Sequence, residues 1–160
     1  MRTVIRFALS LLLMFSSLAA VATNGLASDF DLLKQKLDGR WTFFEDKEKY
    51  ETTFEPISHG AALLERNAGF TVVYYPDGGS MMMTLFTKDG YQVRLRGHGI
   101  DQKSSSIDFA FQDATNLPAG ATYINGLTLT FKDKDHIVEK WKMVDASGSQ
   151  SSFDFELTRK

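Results

Sequence analysis

The sequence predicts an all-β domain: an antiparallel up-and-down barrel of about ten strands, with a short helix ahead of the first. Three observations predict it. From Trp41 onward apolar residues recur with period two. Turn residues interrupt that alternation at short intervals. No connection leaves room for a crossover helix, so successive strands must pair antiparallel. A sheet built of such hairpins removes its exposed edges most completely by closing on itself.

The elements follow in chain order. Residues 1–27 read as a secretory signal peptide: Arg2 and Arg6 without an acid, then an apolar run from Phe7, then small residues. Cleavage fits after Ala22 or after Ala27, and the second is preferred because Asp29 opens polar, domain-like sequence. The run carries serines and falls short of the ~20 apolar residues of a spanning helix, so no stable membrane insertion is expected after cleavage. The domain is then 28–160, and loss of the leader takes the net charge from −2 to −4. That balance argues against a nucleic-acid partner. The absence of cysteine excludes disulfide scaffolds, thiolate metal sites and cysteine nucleophiles. A periplasmic or secreted monomer is the expectation.

Ser28 to Leu37 has helical spacing, with Phe30, Leu33 and Leu37 on one stripe, acids in the first turn and Asp38-Gly39 as its stop. Trp41 and Phe43 share a strand face, followed by Tyr50, Thr52 and Phe54. Further strands read from Ala61 to Arg66, Phe70 to Tyr75, Ser80 to Thr87, Tyr91 to His98 and Ser105 to Gln112. Three more run from Thr122 to Lys132, Asp135 to Val144 and Ser151 to Thr158. Pro76-Asp77-Gly78-Gly79 and Lys88-Asp89-Gly90 are turns. Asp113 to Gly120 reads as a longer loop that folds on itself through Asx-type hydrogen bonds of Asp113, Thr115 and Asn116. Ile107, Phe109 and Phe111 point one way; so do Leu127, Leu129 and Phe131, then Ile137, Trp141 and Met143, then Phe153, Phe155 and Leu157. This is apolar-in, polar-out alternation. Its large rings would either fill a small barrel or line a cavity.

Gly39-Arg40-Trp41, after a short helix and at the start of the first strand, resembles the G-x-W signature of lipocalin-like (calycin) barrels. The resemblance implies that a basic residue near the end of the last strand packs over the tryptophan, and Arg159 stands there. A wider similarity is to a functionally uncharacterised bacterial family of small exported lipocalin-like proteins. Val73-Tyr74-Tyr75-Pro76-Asp77-Gly78, Met81-Met82-Met83-Thr84 and Gly90-Tyr91-Gln92-Val93-Arg94-Leu95 carry it, with Asp113-Ala114-Thr115-Asn116-Leu117 the most specific piece. Thr130-Phe131-Lys132-Asp133, Asp135-His136 and Trp141 complete it. This chain departs from the family where a T-H-Y-C segment stands as Thr84-Leu85-Phe86-Thr87, and where N-Q-P-R stands as Tyr91-Gln92-Val93-Arg94. It also has Tyr123-Ile124-Asn125 in place of a frequent H-x-H. Roles of those histidines are therefore not carried over.

Candidate chemistry is sparse. Gln92, Arg94, Arg96 and His98 share one face of a strand, and Val93 and Leu95 the other. With the polar face inside, the two guanidiniums would clamp a carboxylate; with it outside, they form a solvated wall. Glu139 lies between Ile137 and Trp141 on the apolar face, where a lone carboxylate is costly, so an ion pair with Arg94 or Arg96 is expected. Tyr74, Met82, Phe86 and Trp141 would supply apolar contact to a ligand. His59, His98 and His136 are scattered, with no metal-ligand spacing, and no nucleotide or nucleophile-elbow motif occurs, so no metal, cofactor or catalytic residue is assigned. The expected function is binding of a small apolar or amphipathic molecule, one with a carboxylate included. The alternative is a filled barrel acting through its surface as an envelope interaction module.

Overall fold

The computed structural model describes residues 29–160; the leader, its cleavage sites and Ser28 lie outside the described residues. A helix α1 (residues 29–37) precedes ten strands. These are β1 (Gly39–Glu45), β2 (Glu48–Ile57), β3 (Ala62–Arg66), β4 (Phe70–Asp77), β5 (Ser80–Thr87) and β6 (Gln92–Gly97). Then come β7 (Ser106–Thr115), β8 (Tyr123–Phe131), β9 (His136–Val144) and β10 (Gln150–Arg159). Every neighbouring pair is antiparallel and sequential, and β10 returns to β1 through Trp41↔Arg159 and Thr42↔Thr158. The result is a closed, all-β up-and-down barrel. Closure leaves no long free edge, and the short turns fix the register of each hairpin.

Inward residues follow the alternation. Trp41, Phe54, Leu63, Val72, Tyr74, Leu95, Phe109, Leu127, Leu129, Ile137 and Leu157 are buried in one core. Close approach of the walls needs Gly97, where a Cβ would meet the Asp108 carbonyl and the Phe109 ring at 3.0 Å.

α1 closes the end of the barrel at which β1 begins. Phe30, Leu33 and Leu37 enter the core, and the outer edge of the helix is tied down by charge. Lys34 Nζ donates to the Gly60 carbonyl at 2.7 Å. Arg159 makes the principal lock. Its guanidinium lies over the Trp41 ring, 4.2 Å from the centroid, and donates to the carbonyls of Lys36 (2.7 Å), Asp38 (2.5 Å) and Lys134 (3.0 Å). Two of those carbonyls belong to the C-terminal end of α1, where the macrodipole favours a cation. Trp41 Nε1 donates to the Leu37 carbonyl at 2.6 Å. Gly39 sits at φ +125°, and a Cβ there would stand 3.0 Å from Arg159 Nη1. The Gly-x-Trp and terminal Arg thus form one joint between the first and last strands.

Two expectations need correction. β7 runs on to Thr115, because Asp113, Ala114 and Thr115 stay paired with Arg94, Val93 and Gln92 past a register shift at Arg94/Leu95. Asp113 bonds to Arg94 rather than to its own loop, which begins at Asn116 with φ 58°. Phe111, expected inside, is 41% exposed. The β7–β8 ladder ends at Ala110↔Gly126 and β8 is irregular at Ile124/Gly126. The wall parts there, and Phe111 rests on Tyr123 with ring centroids 5.1 Å apart.

Candidate functional site

The end of the barrel opposite α1 is a mouth of aromatic side chains. The turns after β1, β3, β5, β7 and β9 rim it. Phe43 packs on Phe155 at 4.5 Å and on Tyr50 at 5.6 Å, and Phe153 meets Phe155 edge-on at 5.2 Å. Across the opening Phe70 meets Trp141 edge-on at 5.3 Å. These rings line a concavity of about 410 Å³ with Phe43, Tyr50, Phe70, Phe153 and Phe155 in its wall. A second hollow of about 180 Å³ shares Phe70 and Phe153 and reaches down to Leu85, Ile124 and Trp141. Phe43 and Trp141 are buried, but Tyr50, Phe70, Phe153 and Phe155 are only half-buried, because nothing of the described chain caps this end.

Below Trp141 the barrel holds two carboxyl groups. Glu139 (1% exposed) sits on β9 two residues before Trp141, and Glu65 (0% exposed) sits on β3 between Phe54 and Val72 of the flanking strands. Tyr74 donates its hydroxyl to Glu65 Oε2 at 2.7 Å, and Thr52 reaches Oε1 at a weak 3.5 Å while also donating to the Arg66 carbonyl at 3.2 Å. Trp141 Nε1 donates to Glu139 Oε2 at 3.0 Å. Glu139 Oε1 is buried with no donor among the described residues. No lysine, arginine or histidine of the described residues is buried.

The electrostatics follow from that composition. Burial raises the Glu139 carboxyl to about 7, opposed only by the bond from Trp141. Burial, and then the negative charge of Glu139, push Glu65 well above the ordinary carboxyl value, against the bonds from Tyr74 and Thr52. The Tyr74 hydroxyl is raised as well, by burial and then by the charges of Glu65 and Glu139, so it stays a donor. At neutral pH the pair keeps at least one proton.

The arginines of β6 stand elsewhere. Val93 and Leu95 point inward; Gln92, Arg94 and Arg96 line the outer wall. Arg94 forks onto Asp113, Nε to Oδ1 at 2.6 Å and Nη2 to Oδ2 at 2.5 Å. Arg96 donates to Gln112 at 2.9 Å and Ser80 at 3.0 Å. The expected Arg–Glu139 ion pair does not form, since the two side chains lie on opposite faces of the wall. A lumenal carboxylate clamp is removed with it. Met82 and Phe86 also belong to the outer face, because Met81, Met83 and Leu85 take the inner one. Met82 is nonetheless covered, flanked by its cross-strand partners Tyr75 and Arg96. Of the anticipated contact residues, Tyr74, Glu139 and Trp141 come together inside. Glu65 and Thr52 complete the group and were not anticipated. Their signal was present: Glu65 shares an alternation face with Leu63, as Thr52 does with Phe54.

The described residues contain no cluster of three or more acidic, histidine or cysteine side chains placed to hold a metal ion. No described helix is long and apolar enough to cross a membrane. Neither protein-family models nor curated proteins give a match to this chain. The fold and interior define a class: a closed ten-stranded antiparallel barrel, compatible with a lipocalin-like architecture, plugged at one end and aromatic at the other.

Proposed function

We propose that this protein is an exported, monomeric, lipocalin-like binding protein, of the bacterial family its Asp113–Leu117 segment resembles, that takes up a small apolar or amphipathic molecule. The observation that carries the reading is the mouth: the half-buried rings of Tyr50, Phe70, Phe153 and Phe155, with the buried Phe43 beneath them, around a hollow of about 410 Å³. Apolar walls with few polar groups are the common design of a small-molecule site, and half-buried aromatic area is stabilised when a ligand covers it. Arg94 and Arg96 play no part in this site.

The test is titration with the neutral apolar fluorophore N-phenyl-1-naphthylamine. Saturable one-to-one enhancement is expected, weakened at least tenfold by Phe153→Lys, which sets a charge in the mouth while preserving the circular-dichroism spectrum. No saturable signal, or one indifferent to Phe153→Lys, refutes the proposal.

A second reading has its own support. Trp41, Trp141, Tyr74, Phe54 and Phe109 occupy much of the interior, and Phe44, Phe86 and Phe111 are exposed on the surface. A filled barrel acting through that surface as an envelope interaction module would show no fluorophore binding and no small-molecule adduct in native mass spectrometry of the exported protein.

A further inference from the structure

The mouth leads down to Trp141, and the residue two positions before it on β9, the buried Glu139, is a polar group that the apolar-ligand reading leaves unused. Trp141 forms the floor of the inner hollow. Its indole nitrogen donates to Oε2 of Glu139, so the carboxyl adjoins the edge of the ring. Oε1 of the same carboxyl is buried and accepts from no described donor. Glu65 adds a second carboxyl to the same interior, and its hydrogen bonds come from neutral hydroxyls, those of Tyr74 and Thr52. With one of these acids ionised and no buried cation among the described residues, the interior lacks countercharge. An unmade hydrogen bond on a buried carboxyl oxygen is also costly.

We propose that the barrel's ligand is an apolar amine: a hydrophobic body held in the aromatic mouth and an ammonium head placed on Glu139 Oε1. The inference rests on the mouth being a ligand site and names the chemistry of what enters it. An ammonium group brings three donors and one positive charge, and so supplies both missing elements at once. An alcohol brings a donor without the charge. A carboxylate brings a third acid and is repelled. The approach is suited to a cation as well, since Phe70 and Trp141 present ring faces and edges along the way, and indole is the best aromatic partner of a cation. The head must displace the edge contact between these two rings, which stand 5.3 Å apart.

Three probes of equal chain length separate the possibilities: octylamine, 1-octanol and octanoate, each titrated by calorimetry at pH 7.5 against the chain lacking residues 1–27. Octylamine is expected to bind at least tenfold more tightly than octanol, with octanoate the weakest. Glu139→Gln should bring octylamine to the level of octanol and leave octanol unchanged. Glu65→Gln, which keeps the Glu139 acceptor, should retain part of the amine preference and serves if Glu139→Gln folds poorly. Octanol binding as tightly as octylamine overturns the amine assignment and leaves the mouth standing as an apolar site. An amine preference that survives both substitutions places the ammonium elsewhere and also overturns it. Failure of all three probes to bind overturns the ligand site and the amine together.

Discussion

Replacing Glu139 by glutamine should make the protein more stable at pH 8 and flatten the dependence of its stability on pH. The carboxyl titrates near 7 in the fold, against 4.5 for the unperturbed group. Between those values the folded chain holds a proton that the unfolded chain has released. Stability therefore falls as pH rises through this window, fully present below the unfolded value and lost as pH passes the folded one. A difference of that size, at about 1.4 kcal/mol per pKa unit, makes the Glu139 contribution about 3 kcal/mol. Glu65 is raised too, so its loss continues to higher pH. Glutamine keeps the shape, lets its amide oxygen accept from Trp141 Nε1, and has no proton to lose. The assay is urea unfolding followed by circular dichroism at half-unit steps from pH 5 to pH 8.5. Wild type should lose stability steadily across the range. Glu139→Gln should lose roughly half as much or less, and the two curves should cross, the variant becoming the more stable above neutrality. Groups remote from Glu139 cancel in the difference, whereas Glu65 is raised less in the variant because the Glu139 charge is gone. Parallel curves, or a variant less stable than wild type at pH 8, would refute the claim that an uncompensated carboxyl sits inside the barrel.

Other substitutions address the frame around it. Arg159→Ala removes the guanidinium from Trp41 and from three carbonyls, and should cost about 2 kcal/mol by denaturant unfolding; Arg159→Lys should recover little, because a single ammonium cannot fork onto three acceptors. Gly39→Ala, forced to φ +125° against Arg159, should cost roughly 1–3 kcal/mol in the same assay. Phe109→Ala should lose about 3–5 kcal/mol through the cavity it leaves in the core. Arg94→Ala should leave fluorophore affinity unchanged, since its partner Asp113 and its whole environment are on the outer wall; a tenfold loss of affinity would reopen the placement of the site.

How far the sequence was legible depends on the strand. From Leu127 to Phe131 in β8 and from Phe153 to Leu157 in β10, and along most of β9, large apolar and polar residues alternate in type, so the inner face could be named residue by residue there. β5 offers Ser-Met-Met-Met-Thr-Leu-Phe, apolar on both faces, and no period distinguishes Met81 and Met83 from Met82. β6 alternates cleanly, but alternation alone does not say which face is wet. That was decided by Asp113, Gln112 and Ser80, which meet the arginines on the outer wall through pairings with β7 and β5. The acid at Glu139 was visible as a carboxyl on an apolar face. Its companionship with Glu65 was not, because β3 and β9 are far apart around the hoop and face each other only once it closes. The parting of β7 from β8 was also hidden, since a ladder that stops at Ala110↔Gly126 depends on a bulge rather than on composition.

The joint between β1 and β10 has a consequence in time. The hoop closes through Trp41↔Arg159, and the backbone N–H of Lys160 donates to the Arg40 carbonyl at 2.9 Å. A chain whose β10 is not yet free to pair cannot form this seam. It presents the open flanks of β1 and β9, and an α1 with no guanidinium on its last carbonyls. Completion of the fold therefore waits on β10. Anything that delays β10 extends the period in which those flanks can pair with another chain.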